Sequence, residues 1–292
     1  MNDSPLVRAP LDAATLRRDL VEPGTIHRLD VVESTGSTNT DLAAAFAAGP
    51  GQWKEVSVLA TDFQSAGRGR LERTWQAPPC SSLAVSILLR PAPGGAPAPA
   101  DTYGWLSMLC ATALATALRE SAGVHAELKW PNDVIVAGRK VAGVLAQLVP
   151  APKGPPAVVV GAGVNVTLER DELPVPTATS LLLEQATTVD TTVLLTAYLR
   201  AVARLYSGFL RAGGRADAPI DGGDSLRERV AALMATLGAP VRAELPGGTS
   251  LEGTAVGLES DGALSVRAAD GTTTAVRAGD VVHLRRTDGR YA

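Results

Sequence analysis

The sequence is poor in the residues from which metal sites and disulfide frameworks are built. Among its 292 residues there are two cysteines, Cys80 and Cys110, and three histidines. The cysteines lack the CxxC spacing of a metal or redox motif, so we expect free thiols in a reducing compartment. The scattered histidines argue against a histidine-built zinc site. The sequence therefore predicts no metal-ligating residues.

An excess of basic residues and long hydrophobic runs are also lacking. The formal net charge is −3, so no overall positive field attracts DNA or an anionic membrane. No run of about 18 apolar residues occurs, and the N-terminus lacks the basic-then-apolar pattern of a signal peptide. The hydrophobic fraction of 46% and the charged fraction of 20% are typical of a globular protein. We expect a cytoplasmic protein that binds neither DNA nor membrane.

What is present is a mixture of strand-like and helix-like segments, which predicts an α+β fold. The predicted strands include 56–61, 83–89, 127–130 and 157–166, and the predicted helices include 10–20, 42–48, 103–121, 191–212 and 225–237. After residue 237 short alternating strands separated by turn pairs predict a small β-barrel. We therefore expect an N-terminal extension with a short helix (1–27), a large α+β domain (28–237), the barrel (238–285) and a tail (286–292).

Polar residues gather in three places against this apolar background. They are Ser37-Thr38-Asn39 before a predicted helix, the glycine- and arginine-rich loop 64–75, and Lys129 with Asn132 and Asp133. The planar guanidinium of arginine can donate two hydrogen bonds to a phosphate or carboxylate, and glycine allows the backbone to approach a ligand closely. The loop is therefore suited to binding an anionic small molecule. Helix capping, a solvated hairpin tip and turn chemistry are the ordinary alternatives.

Common catalytic motifs are missing. The sequence Gly67-Arg68-Gly69-Arg70 lacks the Gly-Lys-Ser/Thr of a P-loop, and Gly161-Ala162-Gly163 lacks the third glycine of a dinucleotide fingerprint. No Gly-x-Ser-x-Gly elbow or metalloprotease helix is present. Hydrolase and oxidoreductase functions are therefore unsupported.

The polar clusters together resemble the motifs of biotin protein ligases. In family order they are Gly-Ser-Thr-Asn at 36–39, Gln64 with Ala66-Gly67-Arg68-Gly69-Arg70, Arg73 with Trp75, Lys129-Trp130-Pro131-Asn132-Asp133, Lys140-Val141-Ala142-Gly143-Val144-Leu145 and Gly161-Ala162-Gly163-Val164-Asn165. The resemblance covers roughly residues 28 to 285. It implies a mixed sheet flanked by helices, as in class II aminoacyl-tRNA synthetases, and a C-terminal SH3-like barrel.

That resemblance implies an enzyme that uses ATP and Mg²⁺ to convert biotin into biotinyl-5′-AMP. The biotinyl group then passes to a lysine of the biotin carboxyl carrier domain of a biotin-dependent carboxylase. The chain would be a monomer or a weak homodimer. The residues implied are Lys129 and Arg68 for catalysis; Ser37, Thr38, Asn39, Gln64, Gly67, Arg68, Lys129 and Gly143 for biotin; and Arg68, Arg70, Arg73, Trp75, Asn132, Gly163 and Asn165 for the nucleotide.

Two positions depart from the family pattern, and three other functions stay open. Glu72 stands where the family often has glycine, and Gln147 replaces an acidic residue. The alternatives are a lipoate or octanoate ligase or transferase of the same fold, a biotin-sensing repressor, and a non-catalytic biotin-binding protein. A repressor needs a DNA-binding module, for which the residues before the first strand are too few.

Overall fold

A computed structural model describes residues 8–92, 95–99, 101–151, 154–245, 248–278, 283–287 and 291, with backbone only at Glu72 and His283. The first nine strands are β1 (Arg28–Val32), β2 (Ser57–Thr61), β3 (Gly67–Arg68), β4 (Thr74–Trp75), β5 (Ser82–Leu89), β6 (Ala126–Lys129), β7 (Asp133–Val136), β8 (Arg139–Val149) and β9 (Ala157–Asn165). Seven of them form a sheet in the order β1-β2-β5-β9-β8-β7-β6, while β3 and β4 pair separately. Within the large sheet β1 and β2 are parallel and the other neighbours are antiparallel.

Helices cover both faces of this mixed sheet. They are α1 (Ala13–Leu16), which continues in a π-helical turn over Arg17–Val21, α2 (Thr38–Ala48), α3 (Thr102–Ala122), α4 (Thr191–Arg211) and α5 (Leu226–Leu233). In β5, Ile87 belongs to the core shared with α3 and α4, and its neighbour Leu88 belongs to the core shared with α2. Successive strand residues point to opposite faces of a sheet. When helices cover both faces, the sequence of a central strand is therefore a continuous run of apolar residues. The predicted α+β class is confirmed in this form.

Judged by length and composition alone, α4 is long and apolar enough to cross a membrane. In the structure 56% of its most apolar 18-residue stretch is buried inside the protein. Tyr198, Val202 and Phe209 on its inner face belong to the main core. A long core helix meets the same criterion of length and composition, so this helix by itself is weak evidence for a membrane protein.

The segment before β1 packs onto the large sheet. Leu16 and Leu20 are fully buried in the main core. The backbone N–H of Leu11 donates to Oδ2 of Asp62 at 2.7 Å, and Arg8 pairs with Glu172 at 2.5 Å. The predicted amphipathic helix is confirmed, although regular α-helix begins at Ala13. The side chain of Asp12 caps it by accepting hydrogen bonds from the backbone N–H groups of Ala14 and Thr15.

A second sheet of five strands follows α5. Its strands are β10 (Pro240–Glu244), β11 (Ser250–Leu258), β12 (Leu264–Arg267), β13 (Thr273–Val276) and β14 (His283–Arg286). They are antiparallel in the order β13-β12-β11-β10-β14. Within the described residues β13 and β14 do not pair, so the sheet is barrel-like but not closed.

The turn between β11 and β12 fixes the small sheet to α3 and to Trp130, the residue that follows β6. The indole N–H of Trp105 donates to the Ser260 carbonyl at 2.7 Å, and that of Trp130 donates to the Gly262 carbonyl at 3.2 Å. Gly262 has φ +83°, and a Cβ there would lie 2.4 Å from Cε of Met108. Leu284 and Arg285 of β14 line a small cleft together with Lys129 at the end of β6.

Two further predicted helices differ from the structure at their ends. The helix predicted over 225–237 ends at Leu233, because Met234 is extended and forms a parallel bridge with Leu128 of β6. The helix predicted over 42–48 begins earlier, at Thr38. Its first backbone N–H is satisfied by the distant Gln64 rather than by a neighbouring cap residue.

Candidate active site

A cavity of about 740 Å³ opens where β6 to β9, the start of α2, the loop 68–76 and β14 meet. That volume is typical of a small-molecule site. Every predicted site residue except Gly67 lines it: Ser37, Thr38, Asn39, Gln64, Arg68, Arg70, Arg73, Trp75, Lys129, Asn132, Gly143, Gly163 and Asn165. The structure thus brings together segments that are up to 128 positions apart (Ser37 to Asn165).

Two glycines of β9 shape the floor of the cavity. A Cβ at Gly161 would lie 2.2 Å from Oδ1 of Asn39, and a Cβ at Gly163 would lie 2.6 Å from the ring of Trp75. Only glycine leaves room for both side chains to rest on the strand. The Asn39 amide is fixed further by donating to the Leu145 carbonyl at 3.1 Å.

The polar residues at the start of α2 form a connected network. Oε1 of Gln64 accepts from the backbone N–H of Thr38 at 2.8 Å and from its hydroxyl at 3.1 Å. The Ser86 hydroxyl, fully buried on β5, lies 2.7 Å from Oγ1 of Thr38 and 2.6 Å from Oδ1 of Asn39. Ser37 occupies the N-cap position, but its side chain makes no capping hydrogen bond. The simple capping alternative therefore does not account for this cluster.

The arginine loop lies over the cavity and reaches the small sheet. Gly67 does not line the cavity; a Cβ there would lie 2.4 Å from the Trp75 carbonyl oxygen, so glycine allows β3 to pair closely with β4. Arg68 is exposed, whereas Arg70 is half-buried and donates to the Ala278 carbonyl. Burial lowers the pKa of Arg70, and the charge of Asp133 opposes this shift.

The charges around the cavity are strongly unequal. The described lining carries one carboxylate, Asp133, and six cationic side chains: Arg68, Arg70, Arg73, Lys129, Lys140 and Arg285. Lys129 is 7% exposed, and burial lowers its pKa to about 8 despite the opposing charge of Asp133. Such a cavity favours an anionic ligand.

Two amides that line the cavity are held in place by backbone carbonyls. The side chain of Asn132 donates to Val144 at 2.9 Å, and that of Asn165 donates to Thr179 at 2.9 Å. Gln147 is exposed farther along β8 and does not line the cavity. The side chain of Glu72 lies outside the described atoms.

Four residues of the site were not assigned a role from the sequence. Asp133 and Lys140 stand within quoted motifs and form an ion pair at 2.6 Å. Arg285 and Tyr291 carry no motif signal, because they reach the cavity only through the docking of the small sheet. The ring of Tyr291 lies 3.5 Å from Nζ of Lys129, and its hydroxyl donates to Oδ2 of Asp133.

The chain matches two family models. Residues 31–165 match the biotin/lipoate A/B protein ligase family, and residues 236–284 match the biotin protein ligase C-terminal domain. The first match includes all the predicted site residues.

Full-length similarity is found in sequence and in structure. The chain is 36% identical over 289 residues to the biotin–[acetyl-CoA-carboxylase] ligase of Mycobacterium tuberculosis, covering 98% of this chain and 100% of that protein. A biotin protein ligase from Aquifex aeolicus, solved in complex with biotin and ATP, superimposes with a TM-score of 0.68 at 25% identity, over 90% of this chain and 100% of the other. A bifunctional ligase/repressor of Bacillus subtilis is 31% identical over 145 residues, covering 50% of this chain and 41% of that protein. The chain is therefore a ligase of the biotin protein ligase family.

Proposed function

We propose that this enzyme joins biotin to AMP and then transfers the biotinyl group to a carrier-protein lysine. A biotin carboxylate oxygen attacks the α-phosphorus of ATP, and the bond to the departing pyrophosphate breaks. The amine of the carrier lysine then attacks the biotinyl carbonyl, AMP leaves, and the amine loses a proton. The observation that carries this proposal is the convergence of Lys129 and the arginine loop on the cavity that also holds the α2 network.

The polar network fits the uncharged end of biotin. Ser37, Thr38, Asn39 and Gln64 offer hydroxyl and amide groups of the kind that hydrogen-bond a ureido ring. The network is already fixed by Ser86, so little ordering is needed when a ligand binds. Gly143 lines the neighbouring wall of β8, where a Cβ would lie 3.0 Å from Nζ of Lys140.

The cationic side fits the reacting groups. Bringing a carboxylate to a triphosphate joins two anions, and pyrophosphate departure concentrates negative charge further. Lys129 would contact the biotin carboxylate and the α-phosphate, and Arg68, Arg70 and Arg73 would contact the phosphates. In a partly dehydrated cavity each of these charges acts more strongly than in water.

The remaining predicted residues suit the nucleotide. Trp75, resting on Gly163, offers an aromatic face for adenine, and Asn132 and Asn165 offer fixed amides. The arginine loop above them would shield the mixed anhydride from water until the carrier arrives. The contact between Arg70 and Ala278 supports this role, because it holds the loop against the small sheet.

Magnesium would arrive with ATP rather than in a protein cage. The described residues contain no group of three or more acidic, histidine or cysteine side chains that could hold a metal ion. Mg²⁺ commonly keeps several waters and binds through substrate phosphates, so this lining fits it, with Asn165 as a neutral ligand nearby. When bound, it would neutralise phosphate charge.

We propose that the enzyme acts in the cytoplasm on a biotin carboxyl carrier domain, as a monomer or a weak homodimer.

Mass measurement tests the function directly. The protein is incubated with ATP, Mg²⁺, biotin and a carrier domain, and the carrier should gain the mass of one biotinyl group. A carrier whose target lysine is replaced by arginine is the control. Biotin binding without ATP–pyrophosphate exchange would instead indicate a non-catalytic binder, and labelling only with lipoate or octanoate would overturn the choice of substrate.

A further inference from the structure

Tyr291 lies beyond the last strand of the small sheet, yet it contacts the reacting end of the cavity. Its ring centroid is 3.5 Å from Nζ of Lys129. Its hydroxyl donates to Oδ2 of Asp133, 158 positions away in the sequence. An ammonium over an aromatic face is attracted by the ring quadrupole, and the attraction grows when water is excluded.

The arrangement of charges around this ring is unusual. Lys129 and Asp133 stand directly opposite each other in the β6–β7 register, where opposite charges commonly pair. Here the pair does not form: Oδ1 of Asp133 lies 2.6 Å from Nζ of Lys140, and Oδ2 accepts from Tyr291. Both carboxylate oxygens are therefore engaged by other groups.

We propose that Tyr291 is a positioning residue for Lys129, whose ring holds the ammonium at the cavity wall and whose hydroxyl occupies the Asp133 oxygen that would otherwise capture it. The proposal rests on the proposed role of Lys129 at the substrate anions. A lysine paired with a fixed carboxylate is largely neutralised, whereas a lysine held by a ring keeps its full charge for an incoming anion.

The ring itself has a defined seat. On one side it lines the large cavity, and on the other it lines a small cleft beside Ala239, Val241 and Leu284. It is thus wedged between the end of β6 and the small sheet. Burial and the neighbouring carboxylate of Asp133 both raise the pKa of Tyr291, so its hydroxyl stays protonated and able to donate.

Removing the ring should change the titration of Lys129. Burial sets its low pKa, and the charged groups that face it are Asp133, Lys140, Arg285 and Arg73. Without Tyr291 the ammonium gains water and can approach the freed oxygen of Asp133. Both changes favour the charged form and together outweigh the lost attraction of the ring, so the pKa of Lys129 should rise.

Lysine NMR can observe this directly, because the chain has only four lysines: Lys54, Lys129, Lys140 and Lys153. In protein labelled with ¹³C at the lysine Cε, Lys129→Arg assigns the signal. We expect Tyr291→Ala to move the midpoint from about 8 upward by about one pH unit or more. Tyr291→Phe keeps the ring but frees Oδ2 of Asp133, so its midpoint should lie between those of the wild type and Tyr291→Ala. An unchanged midpoint in Tyr291→Ala would overturn the proposal.

Kinetics separate positioning from obstruction of the cavity. In Tyr291→Ala we expect kcat/KM for biotin-dependent ATP–pyrophosphate exchange to fall by about tenfold or more, with part of the activity recovered in Tyr291→Phe, which keeps the ring but not the hydroxyl. The decline of activity at high pH should move upward with the NMR midpoint. A lower KM for ATP in Tyr291→Ala would mean that the ring merely blocks the cavity and would refute the inference. If no variant and no wild-type protein forms adenylate, the proposed function fails, while the NMR titration still decides whether Tyr291 controls Lys129.

Discussion

The indole of Trp75 lies so close to Gly163 that a Cβ at position 163 would come within 2.6 Å of it. The substitution Gly163→Ala must therefore displace the indole from the floor of the cavity. The added methyl group does not interrupt the backbone pairing of β9, so we expect the fold to persist. We expect KM for ATP to rise by about tenfold or more. Exchange kinetics and thermal unfolding measure the two effects.

The control for this substitution is Gly257→Ala in the small sheet, where an added Cβ meets nothing within 4 Å and the backbone requires no positive φ. It should change neither KM nor stability appreciably. A Gly163→Ala enzyme with unaltered KM for ATP would show that the Trp75 position does not matter for the nucleotide.

We expect the buried charge of Lys129 to lower the free energy of unfolding even though the reaction requires it. Its pKa falls from 10.5 in the unfolded reference to about 8 in the folded protein. The charged form therefore opposes folding fully below pH 8, and the penalty fades as pH rises toward 10.5. We expect Lys129→Met to raise the unfolding free energy at pH 7 by about 1–3 kcal/mol and to abolish adenylate formation.

Urea unfolding at pH 7 and pH 10 checks this prediction, because the difference between Lys129→Met and the wild type should shrink at the higher pH. Lys54→Met, at an exposed lysine, is the matched control and should show no such dependence. Retained pyrophosphate exchange in Lys129→Met would remove Lys129 from the reaction.

Arg70 holds the loop against the small sheet through the Ala278 carbonyl. In Arg70→Ala we expect the loop to open more often, so that biotinyl-5′-AMP leaks into solution and labels bystander lysines. Chromatographic measurement of released adenylate and blotting of an added non-carrier protein record this. Arg215→Ala, which breaks an exposed pair with Asp217, should leave labelling confined to the carrier.

Arg68→Gly offers a complementary test within the same loop. Arg68 is exposed at the cavity, and we expect its loss to weaken contact with the reacting anions and to release adenylate as well. Strict carrier-only labelling by both variants would refute the shielding role of the loop.

The docking of the small sheet depends on Gly262. Its φ of +83° disfavours any side chain, and a Cβ would lie 2.4 Å from Cε of Met108. Gly271 has a similar φ of +86° but open space around it. We expect Gly271→Ala to lower the unfolding free energy by about 1–2 kcal/mol. Gly262→Ala should lower it by about 1–3 kcal/mol more, because the turn must also shift. Equal losses in urea unfolding would show that the contact contributes nothing.

Much of the fold was predictable because its signals are local. The apolar runs of β2, β5 and β9 and the turn at Gly138 between β7 and β8, where the glycine has positive φ, follow from nearest-neighbour chemistry. The end of α5 was not predictable, because a bridge between Met234 and the distant Leu128 overrides a continuing helical pattern. Likewise, nothing near Thr38 indicates that Gln64 would satisfy the first N–H of α2.

The sequence by itself determined which residues could carry the chemistry, because the arginines, Lys129 and the glycines stand in recognisable motifs. Only the tertiary structure decided how those residues are held. Gly161 and Gly163 matter because Asn39 and Trp75 rest on them, and Tyr291 matters because the small sheet delivers it to Lys129. Contacts between residues far apart in the chain depend on how sheets dock, and no local pattern of side chains encodes that placement.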